Sequence, residues 1–221
     1  MICFENLTKE FVINGQRKVV ANRINAVFPS GVSVGLLGRN GAGKSTLLSM
    51  VAGTMDPTEG RISSTGTISW TVGFAGSFHG DLTGAQNARF IARIYGVDTD
   101  ELVAFVEDFA GLGIHFHLPF RTYSAGMKSR LAFGVSMGVP FDTYLVDEVT
   151  SVGDATFRKK SAQVFKARME NAGAVVVTHS PEQMRDLCTA GAVLENGQLT
   201  YFEDIEEAIA LHNRNMNGNS V

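Results

Sequence analysis

The sequence has little cysteine and no long apolar run, and both shortages narrow the class of protein. Cys3 and Cys188 are the only cysteines, too few for a disulfide framework, and this favours a reducing compartment. No stretch approaches 18 consecutive apolar residues, which predicts that the chain does not cross a membrane by itself. No basic start followed by an apolar segment is present at the N-terminus, so we expect no signal peptide.

The chain also lacks an excess of basic charge. Its formal net charge is −3, from 19 Lys and Arg against 22 Asp and Glu, which predicts no nucleic-acid partner and no binding to an anionic membrane surface. A hydrophobic fraction of 44% over 221 residues is enough for one globular domain with a sizeable core and a smaller subdomain. Any membrane role must therefore come through a partner.

Residues 38–46 carry the strongest motif, Gly-Arg-Asn-Gly-Ala-Gly-Lys-Ser-Thr, which has the spacing of a phosphate-binding loop. An apolar strand is predicted before it, over residues 32–37, and a packed helix after it. Glycines let several N–H groups point at one set of phosphate oxygens, and the helix dipole adds positive potential. Lys44 is expected to reach the β- and γ-phosphates, and the Ser45 hydroxyl to bind Mg²⁺. The predicted nucleotide contacts are Gly38, Asn40, Gly41, Gly43, Lys44, Ser45 and Thr46.

Residues 141–148, Phe-Asp-Thr-Tyr-Leu-Val-Asp-Glu, form the second strong motif. A mostly apolar strand delivers Asp147 and Glu148 to its C-terminal end, where ligand sites of α/β sheets form. Asp147 is expected to hold Mg²⁺ through water, and Glu148 to polarise the attacking water. The alternative is a strand that ends in two solvated acids, and the phosphate loop in the same chain argues against it.

Three weaker sequence signals are interpreted together with these two motifs. A buried strand is predicted over residues 174–180 and ends at His179, so we expect His179 at the same sheet edge as Lys44, within reach of a γ-phosphate. Phe11 lies upstream of the phosphate loop and is able to stack on adenine, although alone it fits a core position better. Ser124 is a good helix N-cap, and a Ser-x-Gly turn that opens a helix is able to bind an anion.

The remaining pattern predicts ordinary elements. Strands are expected over residues 2–7 and 18–28, a hairpin over 61–70 and a hairpin turn at 195–198. Helices are expected from Thr83, from Asp98, over 155–169 and over 204–212. His115 and His117 resemble a metal pair, but i,i+2 residues diverge on a helix and no cysteine or carboxylate completes a site, so we interpret them as exposed loop histidines.

In this order, the motifs resemble the nucleotide-binding subunit of an ATP-binding cassette (ABC) transporter over nearly the whole chain. The resemblance implies a single domain over 1–221 with an α/β P-loop NTPase core built on a RecA-like parallel sheet. It also implies an N-terminal antiparallel β-subdomain and an inserted helical subdomain at about 75–138. The polar composition of residues 213–221 separately predicts a frayed tail. Residues 38–45 are similar to the Walker A motif, and Tyr144–Glu148 to Walker B with its catalytic glutamate.

The same resemblance assigns further roles. Residues 123–127, Tyr-Ser-Ala-Gly-Met, look like a variant of the family's Leu-Ser-Gly-Gly-Gln signature, and 151–154 look like its D-loop. It implies nucleotide contacts by Phe11, Ser124, Ala125, Gly126 and Asp154, metal contacts by Ser45 and Asp147, and catalytic roles for Lys44, Glu148 and His179. ATP and Mg²⁺ are the implied cofactors.

The narrower resemblance is to polysaccharide exporters. Residues 78–84, 123–133 and 147–160 are similar to those of exporters of capsule, O-antigen or teichoic acid polymers. The sequence most resembles the ATP-binding subunit of Gram-negative capsular polysaccharide export. This implies an ATPase on the cytoplasmic face of the bacterial inner membrane. Its implied partners are a second copy of itself, a permease dimer and, indirectly, periplasmic and outer-membrane export components.

The sequence departs from the family at two points. Ala125 and Met127 replace the usual Gly and Gln of the signature, although a small residue is kept at 125. The family's glutamine, expected in the loop between core and helical subdomain, is absent from residues 74–79, Phe-Ala-Gly-Ser-Phe-His. Gln86 lies too late to replace it, and Ser77 would be a weak substitute.

Three alternatives remain. In the first, an ABC transporter of the same type carries an O-antigen, a teichoic acid or a small solute, and its ATP-binding subunit has the same motifs. A soluble cassette ATPase on DNA or ribosomes usually has two cassettes or a coiled coil, and neither pattern is present here. A regulatory module with little hydrolysis is disfavoured because Glu148 and His179 are both present.

Overall fold

The computed structural model describes residues 1–147 and 154–218. Glu148, residues 151–153 of the predicted D-loop and residues 219–221 of the predicted tail lie outside the described residues. The chain divides into two compact units. The first, the core unit, contains residues 1–71, 141–147 and 169–218, and the second, the helical unit, contains residues 72–140 and 154–168. No helix in the described part of the chain is long and apolar enough to cross a membrane.

The core unit begins with a three-stranded antiparallel sheet. β1 (Ile2–Ile13) pairs with β2 (Gln16–Phe28) on one side and with β4 (Glu59–Ser64) on the other. The turn between β1 and β2 uses Asn14 and Gly15, both at positive φ, as is typical of an Asn-Gly hairpin turn. Phe11 lies inside β1 and not between two strands, because the hairpin strands are longer than their apolar patterning suggests.

The second sheet of the core unit has the order β5-β6-β7-β3-β8-β9. Its strands are β3 (Ser33–Leu37), β5 (Ile68–Thr71), β6 (Thr143–Asp147), β7 (Gly173–Val177), β8 (Ala190–Glu195) and β9 (Gln198–Phe202). The first five strands of this order run parallel, and β9 is antiparallel to β8. β7 is buried at every position, as expected of a parallel strand covered on both faces.

Three helices belong wholly to the core unit: α1 (Lys44–Val51), α6 (Pro181–Leu187) and α7 (Ile205–Gly218). One apolar cluster joins both sheets and α1, with Leu7, Leu36 and Leu194 among its fully buried side chains. Burial of this kind stabilises by about 25 cal/mol per Å² of apolar surface. The predicted α/β core is therefore confirmed, with the antiparallel sheet as part of the same unit.

The helical unit contains α2 (Gly84–Tyr95), α3 (Thr99–Ala110), α4 (Ala125–Gly138) and nearly all of α5 (Ala155–Met169). Helices start after Thr83 and Asp98, as predicted: Thr83 and Gln86 form a capping box for α2, and Asp98 caps α3. Phe109 stacks on Phe133 with ring centroids 5.7 Å apart, which joins α3 to α4. The grouping of α5 with this unit extends it beyond the predicted limits of about 75–138.

The predicted hairpin at 61–70 and the predicted last helix also differ from the structure. Residues 61–70 do not form a hairpin, because β4 pairs with β1 and β5 pairs with β6 in the other sheet. A sequence pattern predicts where two strands and a turn lie, but not which other strands they pair with. The last helix ends at Gly218 and not at His212, so most of the predicted polar tail is helical.

Candidate functional site: the nucleotide cavity of the core unit

The phosphate loop joins β3 to α1, as its spacing predicts. Two of its glycines are required because neighbouring atoms lie too close for a side chain. A Cβ on Gly43, whose φ is 107°, would lie 1.9 Å from Val20 Cγ1, and one on Gly38 would lie 2.5 Å from the Leu194 carbonyl oxygen. The loop is therefore packed between β2 and the end of β8, and a side chain at either position would push it out of place.

Lys44 lies at the first position of α1, with its ammonium turned back over the loop. Its Nζ donates hydrogen bonds to the carbonyl oxygens of Gly38, at 2.7 Å, and of Arg39, at 3.2 Å. The positive charge is therefore held at the centre of the loop, beside the backbone N–H groups that open α1. An anion that enters the loop meets this charge together with the positive end of the helix dipole.

One cavity is lined by most of the residues predicted for the nucleotide site. Its volume is about 570 Å³, within the range of small-molecule sites. Nine predicted site residues line it: Phe11, Asn40, Gly41, Gly43, Lys44, Ser45, Thr46, Asp147 and His179. Gly38 accepts the Lys44 hydrogen bond and lines a smaller neighbouring cavity.

The sheet brings Asp147 and His179 together. Asp147 ends β6 and is the Cα partner of Val177, which ends β7. His179 follows two residues later, so the predicted strand over 174–180 is shorter than expected, ending at Val177. Because parallel strands end at one edge of the sheet, the carboxylate and the imidazole reach the phosphate loop from neighbouring strands.

Three lining residues were not predicted from the sequence: Lys18, Val20 and Val177. Phe11 and Lys18 are directly opposite each other in the β1–β2 pair, so they share one face of the sheet. Val20 lies two residues further along β2, on the same face. The alternation of β2 was the available signal, but it needs the register to show which face meets the phosphate loop. Lys9 Nζ lies 5.2 Å from the Phe11 ring centroid, which is cation–π distance.

The helical unit has a second cluster of predicted residues. Ser124 caps α4 by accepting a hydrogen bond from the Met127 N–H at 3.3 Å. A cavity of about 440 Å³ lies beside this helix end. It is lined by Gly111, Leu112, His115, Ser124, Gly126, Met127, Arg130 and Asp154. Ala125, the first residue of α4, is exposed beside it.

Asp154 links α5 to α4 within the helical unit. Its Oδ1 accepts from the Phe157 N–H at 2.9 Å, and its Oδ2 contacts Arg130 Nη2 at 2.6 Å. The Phe157 hydrogen bond and then the Arg130 charge lower the pKa of the Asp154 carboxyl. Arg130 also lies over the Phe157 ring, 5.0 Å from its centroid. Asp154 is therefore fixed as an anion next to Ser124 and Gly126.

The structure thus gathers the predicted residues into two clusters, one in each unit. His115 lies in the helical cluster, and His117 Nε2 contacts Glu107 Oε1 at 3.1 Å. In residues 1–147 and 154–218, no group of three or more His, Cys, Asp or Glu could hold a metal ion. A magnesium ion held by one carboxylate, one hydroxyl and substrate phosphates needs no such group.

The loop that lacks the family's glutamine is held by a residue the sequence did not single out. Asn87, on α2, is 1% exposed. Its Oδ1 accepts from the His79 N–H at 2.9 Å, and its amide donates to the carbonyl oxygens of His79 and Leu82 at 3.1 and 3.3 Å. A helical Asn gives no signal of this kind in the sequence, because its partners depend on where the loop folds back.

Comparison with known proteins gives concordant results. The sequence pattern of the family described as "ABC transporter" matches residues 21–151. The chain is 47% identical over 212 residues to the polysialic acid transport ATP-binding protein KpsT of Escherichia coli, covering 95% of each chain. It is 42% identical to the ATP-binding protein BexA of Haemophilus influenzae, over 96% of this chain and 98% of that protein.

A third relative and the solved structures agree. The capsule polysaccharide export ATP-binding protein CtrD of Neisseria meningitidis is 42% identical over 96% of this chain and 99% of its own length. The dimeric post-hydrolysis structure of the ATP-binding cassette MJ0796 bound to ADP and Pi superposes with a TM-score of 0.77 at 20% identity. It covers 93% of this chain and 99% of that chain, which shows a shared fold.

Proposed function

The chain belongs to the ABC transporter family, and on that premise we propose that it is the ATP-hydrolysing subunit of a bacterial capsular polysaccharide exporter. It energises transport of the polymer across the inner membrane through a separate permease. The observation that carries the ATPase role is the 570 Å³ cavity, which joins the phosphate loop to Asp147 and His179. The cargo is supported by relatives over 40% identical whose names specify polysialic acid or capsule polysaccharide.

The residues that line the cavity, together with Glu148, have separate roles in phosphoryl transfer. The loop amides and the Lys44 ammonium bind the β- and γ-phosphates of ATP, and Phe11 offers its ring to the adenine. The donor set of Ser45 and Asp147, a hydroxyl and a carboxylate, suits Mg²⁺, which neutralises phosphate charge when bound. Glu148 acts as the base for the attacking water, and His179 stabilises the γ-phosphate.

We propose that two copies of the chain complete each ATP site. Ser124, Gly126 and the carboxylate of Asp154 form an exposed cluster at the N-terminus of α4, which is suited to a phosphate. In a head-to-tail pair, this cluster of one copy closes over the ATP held by the phosphate loop of the other. A cassette of the same fold has been solved as a dimer, which supports this arrangement. ATP then favours the closed dimer by differential binding, and hydrolysis releases it.

The permease partner is supported by apolar exposure in the helical unit. Phe74, Phe90 and Ile94 are 57%, 49% and 57% exposed. Phe90 and Ile94 lie one turn apart on α2, so they form an apolar strip on its surface. Large apolar side chains exposed together mark a binding surface. A permease seated here would hold the chain on the cytoplasmic face of the inner membrane, with periplasmic and outer-membrane components acting further along the route.

The ATPase proposal is tested by Glu148→Gln. The amide cannot accept a proton, so turnover should fall about 100-fold or more, while ATP binding persists and an ATP-bound dimer accumulates. Phosphate release and size-exclusion chromatography with ATP measure both effects. Glu170→Gln, which changes an exposed glutamate, is the matched control and should behave as wild type. Wild-type turnover by the Glu148→Gln chain would remove Glu148 from the mechanism.

The cargo proposal is tested in cells. A strain without this chain should accumulate capsular polymer in its cytoplasm and lose surface capsule, and the wild-type chain should restore export where Lys44→Ala does not. Intact capsule with loss of another surface polymer, such as O-antigen, would reassign the cargo. Intact capsule and unchanged polymers of every kind would refute an export role.

The permease surface is tested by crosslinking. A photoreactive residue placed at Phe74 or Ile94 should crosslink to the permease, and one at exposed Val12 of the core unit should not. Crosslinks from Val12 alone would place the permease contact elsewhere.

A further inference from the structure

A second, smaller cavity lies on the other side of the Lys44 side chain. Its volume is about 140 Å³ and all its lining residues belong to the core unit. It shares Lys44 and His179 with the nucleotide cavity. The new polar residues on its wall are His212 and Asn213 of α7, together with Thr178 and Ser180. Two histidines and the phosphate-loop lysine therefore surround one small space.

His212 is fixed there by the packing of α7 against the sheet. Gly191 of β8 lacks a Cβ, which would lie 2.3 Å from the Ala208 Cβ, so the helix lies directly on the strand. Gly35 makes the same room in β3, where a Cβ would lie 2.9 Å from Ile205 Cδ1. One turn beyond His212, the Asn215 amide hydrogen-bonds the Glu195 carboxylate. The helix is thus anchored to the two strands that flank the phosphate loop.

Several segments of the core unit place charged or ionisable side chains around His212. Lys44 of α1 and Glu195 of β8 act on it electrostatically, and His179, beyond the end of β7, shares its cavity. On the nearby helix α6, Arg185 is paired with Glu206 at the start of α7, nearly two turns from His212. Burial and then the Lys44 charge lower the pKa of His212, and Glu195 opposes this effect.

We propose that His212 is a positioning residue of the ATP site, which gains a proton when nucleotide phosphates bind at Lys44 and so makes phosphate affinity depend on pH. The proposal rests on the phosphate-loop function assigned above. Without nucleotide, a second cation beside the Lys44 ammonium is unfavourable, and His212 stays neutral near pH 7. Phosphates that pair with Lys44 bring negative charge to the other side of this side chain, so a protonated His212 becomes favourable.

The sign follows from linkage. If nucleotide binding promotes protonation of His212, protonation of His212 promotes nucleotide binding by the same factor. Affinity should therefore rise as the pH falls through the pKa of His212 in the complex, and level off below its pKa in the free chain. Protonation of the nucleotide's own phosphates acts on wild type and variant alike, so a comparison at His212 cancels it.

The test uses the full chain and ADP, which binds without turnover. Its dissociation constant is measured by calorimetry between pH 8.5 and 5.5 for wild type, for His212→Gln and for His117→Gln, which changes an exposed histidine of the helical unit. Wild type and His117→Gln should gain about fivefold more affinity over this range than His212→Gln. Equal pH profiles for wild type and His212→Gln would overturn the proposal.

A direct measurement on the wild-type chain keeps the test valid if the variant does not fold. The His212 ring signal is titrated by NMR with and without ADP, and its midpoint should move to higher pH with ADP. A midpoint that does not move, or moves down, would contradict the coupling. Failure of wild type to bind ADP at any pH would instead refute the phosphate-loop function, so the two failures are distinguishable.

Discussion

The two units each present the N-terminus of a helix to solvent, but they prepare it differently. α1 of the core unit follows Gly43, which has a left-handed backbone and provides no side-chain cap. α4 of the helical unit follows Ser124, whose hydroxyl accepts from the Met127 N–H. A helix leaves its first N–H groups without intrahelical partners. No side chain caps α1, which suits the binding of an anionic ligand there, whereas Ser124 satisfies one N–H group of α4.

This difference explains why the two sites have different roles in the proposed cycle. The phosphate loop surrounds an anion with backbone N–H groups and the Lys44 charge, so it is able to bind nucleotide within one copy of the chain. The α4 end has a hydroxyl, a small residue at 126 and the Asp154 carboxylate, which is itself negative. Such a site is suited to phosphates whose charge is already neutralised by the other copy.

The largest effect is expected from Lys44→Ala. Loss of the ammonium that donates to Gly38 and would pair with phosphates should weaken ATP binding about 100-fold or more. Equilibrium binding of a fluorescent ATP analogue measures it. Lys166→Ala, at an exposed position of α5, is the control and should leave affinity unchanged. Unchanged binding by Lys44→Ala would refute the difference drawn between the two helix ends.

Gly43→Ala should have the next largest effect. The added Cβ would lie 1.9 Å from Val20 Cγ1 at a φ of 107°, so the loop must move or strain. We expect the free energy of unfolding to fall by about 2 kcal/mol and ATP binding to weaken with it. Gly41→Ala, at positive φ but with no atom within 4 Å, should cost less. Equal costs in urea denaturation would mean that the contact with Val20 is unimportant.

Gly126→Ala separates stability from dimerisation. Nothing lies within 4 Å of the added Cβ, and alanine in a helix is favoured by about 0.5–1 kcal/mol, so the chain should become slightly more stable. The methyl group nevertheless covers the face that we assign to the other copy's phosphates. ATP-driven dimerisation in the Glu148→Gln background should weaken about tenfold, as measured by analytical ultracentrifugation. A dimer of undiminished affinity would remove Gly126 from the interface.

Asp154→Asn should have the smallest effect on stability. Asparagine caps a helix about as well as aspartate, and the lost ion pair with Arg130 is exposed. Because the pKa of Asp154 is lowered in the folded chain, its carboxylate stabilises at neutral pH and this contribution is lost as the pH falls through that pKa. Thermal melts should therefore differ at pH 7 and converge in acid, and a difference that widens in acid would contradict this.

Much of the core-unit site was predictable because its residues are adjacent in sequence. Gly38 to Thr46 form one loop and the start of α1, Asp147 ends an apolar strand and His179 follows another, so strand direction alone places them at one edge. Phe11 was a weaker prediction, since only the β1–β2 register puts it opposite Lys18 on the cavity face. The capping residues Thr83, Asp98 and Ser124 were predicted because a cap depends on only a few neighbouring residues.

The sequence by itself determined the local motifs of this protein: the phosphate loop, the Asp147 carboxylate that ends β6 and the caps that start the helices of the helical unit. These are local patterns whose physical cause lies within a few residues of chain. Only the tertiary structure decided that β4 and β5 belong to different sheets, that Asn87 holds the loop at His79, and that His212 lies behind Lys44. The sheet assignment and the place of His212 depend on residues far apart in sequence, which hydrophobic packing of the whole chain brings together. The contacts of Asn87 join residues only eight positions apart, but they depend on how the loop folds back onto α2.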